Sequence, residues 1–269
     1  MSATSTDEIR AAVDGNRLWY HTLELAPGVV TPGWFDMRPV VDRLPWPDVE
    51  GKRCLDIGTY DGFLAFELER RGASEVVATD VEHHSGWDWP AAERAQGPDV
   101  LAQIAGEKGR GFEVAKEVLG SKVERVFTSI YDLAPEVHGT FDVVVCGSLL
   151  LHLRDPIRAL EAIRRVCSGV FLSADEIDVR LTILHPRRPV FRLSGEDVQW
   201  WLPNVAARRR MVELAGFTVE STTRPYAIPL GPAHPSFGLR PPTSQRLARQ
   251  LVCRGTGVPT SALLARPAV

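Results

Sequence analysis

RCLDIGTYDGFLAFELERRG, residues 53–72, decides the fold. An apolar run at 53–58 stops at Gly58. Helix-period apolar positions then follow at Phe63, Phe66 and Leu68, and Gly72 closes the helix. A buried strand that turns through glycine directly into a helix is the repeating unit of a layered α/β sheet. Working outward, EVVATD at 75–80, VERVFTSI at 123–130, FDVVVCGS at 141–148 and GVFLSADE at 169–176 carry the same short apolar strand pattern. RDPIRALEAIRRVC at 154–167 reads as a helix with Pro156 in its first turn, where a missing N–H costs nothing, and with Arg164 interrupting its apolar face. A longer helix is expected over 99–119, weakest at Gly109 and Gly111. Strands alternating with helices through short connections predict a doubly wound α/β fold with a mostly parallel, seven-stranded sheet and right-handed crossovers.

The flanks set the expected domain plan. Residues 1–48 are too few for a large core of their own and read as an N-terminal arm or lid, with a helix near its start and an extended WYHTLEL segment. The main domain spans 49–255. Within it, 177–203 breaks the rhythm with HPRRP and QWWLP and is expected to cover the sheet's carboxyl edge. NVAARRRMVELAGF at 204–217 is a helix with Asn204 as its cap. Final strands are expected at 218–228 and 247–255, with 256–269 as a loose tail.

The composition narrows the function. With 269 residues, 44% hydrophobic and 24% charged, the chain can bury one large core. No run approaches eighteen apolar residues, and the first fifteen lack a signal-like pattern, so a cytoplasmic protein without a membrane partner is expected. The formal charge of −3 disfavours a nucleic-acid partner, and RRR at 208–210 reads as a solvated helix face. Cys54, Cys146, Cys167 and Cys253 show no metal-type spacing and read as small core residues.

The chemistry gathers at strand ends. Asp56, Gly58 and Gly62 suit an adenosyl cofactor: the glycines admit a close backbone approach, and the carboxylate complements an ammonium. The spacing is not G-x-G-x-x-G, since Tyr60 stands where the second glycine would be. Asp80, 22 residues beyond Gly58, is placed to accept ribose hydroxyls, and Asp132 to accept from an adenine amino group. Thr59 and Ser148 are assigned to the same cofactor set. His152 follows the fourth strand and Glu176 ends the fifth; both are the catalytic candidates, with His152 suited to proton transfer near neutrality. Tyr20, His21, Trp34 and Trp200 are expected to line the acceptor pocket. Asp175, Glu176 and Asp178 are close in sequence, but adjacent strand residues point to opposite faces, so no metal is expected.

WYHTLELAPGVVTPGW, GKRCLDIGTYDGFLAFELERRGASEVVATD, FDVVVCGSLLLHLRDPIRALEAI and WWLPNVAARRRMVELAGF occur in this order over residues 19–217. Together they resemble the class I S-adenosylmethionine-dependent methyltransferases grouped with the tRNA wobble-uridine 5-oxyacetic acid enzyme and its small-molecule relatives. The resemblance implies a Rossmann-like fold and S-adenosyl-L-methionine as cofactor, with S-adenosyl-L-homocysteine as product. It also places the arm and the 177–203 insertion over the substrate. Two departures count: Leu151 stands where that tRNA enzyme has a tyrosine, and Asn16 falls near a family lysine. Both remove partners for a carboxylated cofactor. The expectation is therefore ordinary methyl transfer to a small-molecule oxygen or nitrogen, oxygen first, in specialised metabolism. The alternatives are tRNA modification, a non-catalytic cofactor-binding regulator and an NAD oxidoreductase; monomer and homodimer both stay open.

Overall fold

The computed structural model describes residues 5–96, 107–196, 199–235 and 243–268. Chain order begins with helix α1 (Thr6–Asp14) and a short ribbon, β1 (Glu24–Ala26) and β2 (Val29–Val30). The first sheet unit follows: β3 (Arg53–Ile57), α2 (Phe63–Arg70) and β4 (Glu75–Asp80). Helix α3 (Ala91–Gln96) precedes α4 (Arg110–Leu119), and β5 (Glu124–Phe127) comes next. The 99–106 part of the expected long helix lies outside the described residues. A one-turn helix α5 (Pro135–His138), strand β6 (Phe141–Gly147), helix α6 (Pro156–Val166) and strand β7 (Cys167–Glu176) complete the second half of the parallel sheet.

The sheet order is β10-β12-β7-β6-β3-β4-β5, with β10 (Phe217–Thr222), β11 (Tyr226–Ile228) and β12 (Val258–Pro267) all joined through β12. β5, β4, β3, β6 and β7 run parallel, while β12 is antiparallel to β7, β10 and β11. Seven strands thus form the main path and β11 is an eighth. Period-two alternation sorts the core onto two faces. Cys54, Val76, Val143 and Leu172 pack with α1, α2 and α4 on one side. Leu55, Val77, Val144 and Phe171 pack with α6 and helix α8 (Val205–Leu214) on the other. The strands are buried from both faces, as a doubly wound parallel sheet requires.

The C-terminal expectations are corrected. Residues 247–255 are not a strand: they belong mainly to helix α9 (Thr243–Cys253). Residues 258–267, expected as a loose tail, form β12, inserted between β7 and β10. Ala262, Leu263 and Ala265 are fully buried there. Small residues between prolines look like a tail in sequence, yet they fit a strand squeezed between two neighbours. The 177–203 insertion contains helix α7 (Val179–Leu184) and a hairpin, β8 (Phe191–Glu196) with β9 (Gln199–Pro203). Arg208 is also not solvated. It is 4% exposed and donates to Ser173 Oγ (2.7 Å) and Ser261 Oγ (3.0 Å), whereas Arg209 and Arg210 pair with Glu213. Arg164, the blemish on α6, donates to the carbonyls of Gly216 and Ala268. Among the described residues, no helix is long and apolar enough to cross a membrane.

Candidate functional site

The turn leaving β3 is held by β4. The amides of Gly58 and Thr59 both donate to the Thr79 carbonyl, at 2.8 and 3.2 Å, and Gly62 N donates to Thr59 O at 2.8 Å. Gly58 has φ +75°, a conformation that favours glycine, and its bare Cα lies against the Leu149 side chain. The same contact shows that the turn after β6 leans against the glycine turn. Tyr60 and Ser148 both adopt positive φ, +46° and +51°. For non-glycine residues this is uncommon backbone, kept only where surroundings enforce it. Ser148 is fixed by its amide, which donates to Ala174 O at 2.7 Å.

Three aspartates surround this turn. Asp56 is 1% exposed with no donor in good hydrogen-bond geometry at either carboxyl oxygen, and burial, partly opposed by the nearby Thr59 hydroxyl, pushes its pKa up to about 7. A buried carboxyl without partners is costly in isolation and marks a place where a ligand donor completes it. Asp80 accepts from Val81 N (2.8 Å) and Tyr60 N (3.1 Å). Asp61 was absent from the expected site. It accepts from Tyr20 N (2.5 Å) and His21 N (3.0 Å), tying the N-terminal arm to the glycine turn. Burial raises Asp61 to about 7, against the opposing pull of those two amides. Only its place in TYDG hinted at a role; its partners lie some 40 residues away in sequence.

The arm brings aromatic rings to the same edge. Tyr20 lies 5.1 Å from the Tyr60 ring, 4.9 Å from Phe35 and 6.4 Å from Trp34. His21 is buried, its Nδ1 has no partner, and burial depresses its pKa to about 3, so it stays neutral. Trp200 braces the fold, because its Nε1 donates to Asp88 O at 2.7 Å. Asp88 Oδ2 in turn accepts from Tyr131 Oη (2.5 Å) and Arg154 N (2.8 Å). The hairpin is thereby fastened to the loops after β4, β5 and β6, which all leave the carboxyl edge.

Asp132 is exposed, on the single turn Ile130–Asp132. Opposite Asp80 on β5 stands Phe127, and the Thr128 amide donates to Asp80 O at 2.9 Å. His152 is half-buried on the turn Leu150–His152. Strand-end position alone pairs it with Glu176, but the group that holds this turn is Asp175, whose Oδ2 accepts from Leu150 N at 3.1 Å. Glu176 lines a cleft with Leu151, Asp175, Trp201, Phe191 and Arg208. Burial raises Glu176 to about 7, partly opposed by Arg249, and raises Asp175 to about 6, partly opposed by Arg208. All four cysteines are buried and free. No three His, Cys, Asp or Glu side chains converge as a metal set among the described residues.

A family model described as a methyltransferase domain matches residues 36–222. The chain belongs to this methyltransferase-domain family. S-adenosylhomocysteine, the demethylated form of the expected cofactor S-adenosylmethionine, is present in a solved neighbour of the same fold. The unpartnered Asp56 carboxyl and the side-chain-free backbone at Gly58 fit that group. Among relatives, the ubiquinone biosynthesis O-methyltransferase of Marinobacter nauticus is 28% identical over 68% of this chain and 64% of its own length. The tRNA U34 carboxymethyltransferase of Campylobacter hominis is 25% identical over 64% of this chain and 53% of its own. The chain therefore spans about half to two thirds of these relatives. The N-terminal domain of EvdMO1, solved in the presence of SAH and D-fucose, superposes over 100% of both chains with TM-score 0.60 at 16% identity. The methyltransferase from Listeria monocytogenes covers 85% of this chain and 96% of its own, with TM-score 0.52 and 17% identity.

Asp80 supplies the first expected result for this methyltransferase domain. Asp80→Asn should weaken S-adenosylhomocysteine binding by about 1.5–3 kcal/mol through loss of a charged acceptor. Calorimetry would read this as a roughly 10- to 150-fold rise in Kd, with the thermal midpoint confirming an intact fold. A change below about twofold removes Asp80 from the ribose assignment.

Proposed function

We propose that this chain transfers the methyl group of S-adenosylmethionine to a hydroxyl oxygen of a small molecule held in the cleft under the β8–β9 hairpin. The observation that carries this reading is Glu176, a cleft-lining carboxyl whose burial brings it to about 7. A hydroxyl is a weak nucleophile until its proton is drawn off, and a base that titrates near neutrality suits that role. S-adenosylmethionine supplies an electrophilic methyl on a sulfonium. Glu176 accepts the acceptor's proton, Asp175 fixes the 150–152 turn, and Leu151, Phe191 and Trp201 give the cleft apolar walls. His152, on that turn, is the second candidate for the proton.

The ubiquinone biosynthesis O-methyltransferase relatives favour an oxygen acceptor. The tRNA relatives keep a second reading in view. Against it stand the net charge of −3 and the apolar, 5%-exposed Leu151, which offers no donor to a carboxylated cofactor.

The experiment offers a metabolite pool and bulk tRNA to the protein with isotope-labelled S-adenosylmethionine and, in parallel, with its carboxylated analogue, followed by mass spectrometry of the labelled products. One added methyl on oxygen is expected. A carboxymethyl adduct, or labelling confined to tRNA, overturns the proposal.

A further inference from the structure

Lys108 stands where the cofactor site has to open. It immediately precedes Gly109, which adopts φ +88° and is anchored through its carbonyl by Arg125 Nη1 at 3.2 Å. This turn delivers the Lys108 side chain inward, 2% exposed, with Nζ 2.6 Å from Asp80 Oδ2 and 5.4 Å from the Tyr60 ring centroid. The contact with Asp80 is an ion pair outside hydrogen-bond geometry, and the ammonium has no hydrogen-bond partner among the described residues. Burial lowers its pKa, with Arg125 acting in the same sense, against the pull of Asp80 and Asp61.

A carboxylate offers roughly four lone-pair positions. On Asp80, Val81 N takes one on Oδ1 and Tyr60 N one on Oδ2, while Lys108 Nζ, 2.6 Å from Oδ2, covers the second position there. One position is left, and a ribose presents two hydroxyl donors. The backbone donors Tyr60 and Val81 belong to the turn itself and cannot leave without unmaking it. Lys108 is a flexible side chain held by one ion pair, so it is the group that can move.

We propose that Lys108 is a displaceable internal counter-ion that occupies the ribose-accepting position of Asp80 and leaves it when cofactor binds. The inference rests on the reading of Asp80 as the ribose acceptor. Lys108 then sets cofactor affinity without contributing to it: the competent state, with Asp80 uncovered, is only a fraction of the unliganded population, and apparent affinity falls by that fraction.

The test is calorimetry on the full chain with S-adenosylhomocysteine and its 2′,3′-dideoxy analogue. Lys108→Met should bind S-adenosylhomocysteine about fivefold or more tighter than wild type, because the competing state is removed. The dideoxy analogue should show no such gain. Wild type that fails to prefer S-adenosylhomocysteine over the dideoxy analogue rejects the Asp80 reading itself. Wild type that does prefer it, with Lys108→Met binding equally or more weakly, overturns the counter-ion proposal and leaves the Asp80 reading standing. Should Lys108→Met fail to fold, a crystal structure of wild type with S-adenosylhomocysteine decides: Lys108 is expected to have left Asp80, and an intact ion pair beside bound ribose refutes the proposal.

Discussion

Replacing Glu176 by glutamine is expected to lower the single-turnover rate of methyl transfer by about 10²- to 10⁴-fold, the usual contribution of a positioned general base. Glutamine preserves size and hydrogen-bonding reach but cannot accept the proton. S-adenosylhomocysteine affinity should stay close to wild type, since the Asp56–Asp80 turn lies on other strands. The pH profile adds a second readout. Glu176 acts only when ionised, and burial sets its titration at about 7, so the wild-type rate should climb with pH through that region and then level off. The variant should lose this rise. A profile still rising near 7 in the glutamine variant transfers the base role to another group, with His152 first in line. A rate loss below about tenfold withdraws Glu176 from the chemistry altogether.

The second large effect concerns stability and the arm. Asp61→Ala should cost about 2–4 kcal/mol, because it strips the shared acceptor from the Tyr20 and His21 amides and leaves buried donors unpaired. The penalty is moderated by relief of the carboxyl's own burial, which already raises it to about 7. Asp61→Asn keeps one acceptor oxygen and should recover much of the loss. Urea denaturation gives the number, and protease cleavage within residues 20–35 reports whether the arm has come away. An alanine variant within about 1 kcal/mol of wild type, with an uncleaved arm, refutes the latch. Leucine or glutamate are poor replacements for the same reason that Gly111 is glycine: a Cβ at 111 would fall 2.5 Å from Asp61 Oδ1, so the carboxyl fits a space with no slack.

The sequence by itself determined the order of the strands from β3 to β7, the helices α2 and α6 between them, and the glycine turn with Asp56 and Asp80 beside it; helix α3 falls in a stretch, 81–98, that reads as a loop. These features are local: two-residue and 3.6-residue periodicity are set within a few positions, and a glycine between strand and helix acts where it stands. It also placed Glu176 and His152 at strand ends, because strand direction fixes the functional edge. Only the tertiary structure decided the rest. Residues 258–267 look like a tail until β7 and β10 close on both sides of them. Arg208 reads as a surface cation until Ser173 and Ser261, 35 and 53 residues away in sequence, meet its guanidinium in the interior. The brace that Trp200 makes is equally invisible in sequence, because its indole N–H finds the Asp88 carbonyl across 112 residues. Asp61 reads as a turn residue until the arm folds onto it, and Lys108 as an ordinary lysine until Gly109 turns it onto Asp80. Each depends on which distant group the side chain encounters, and a polar residue's neighbours in sequence carry no record of its partner in space.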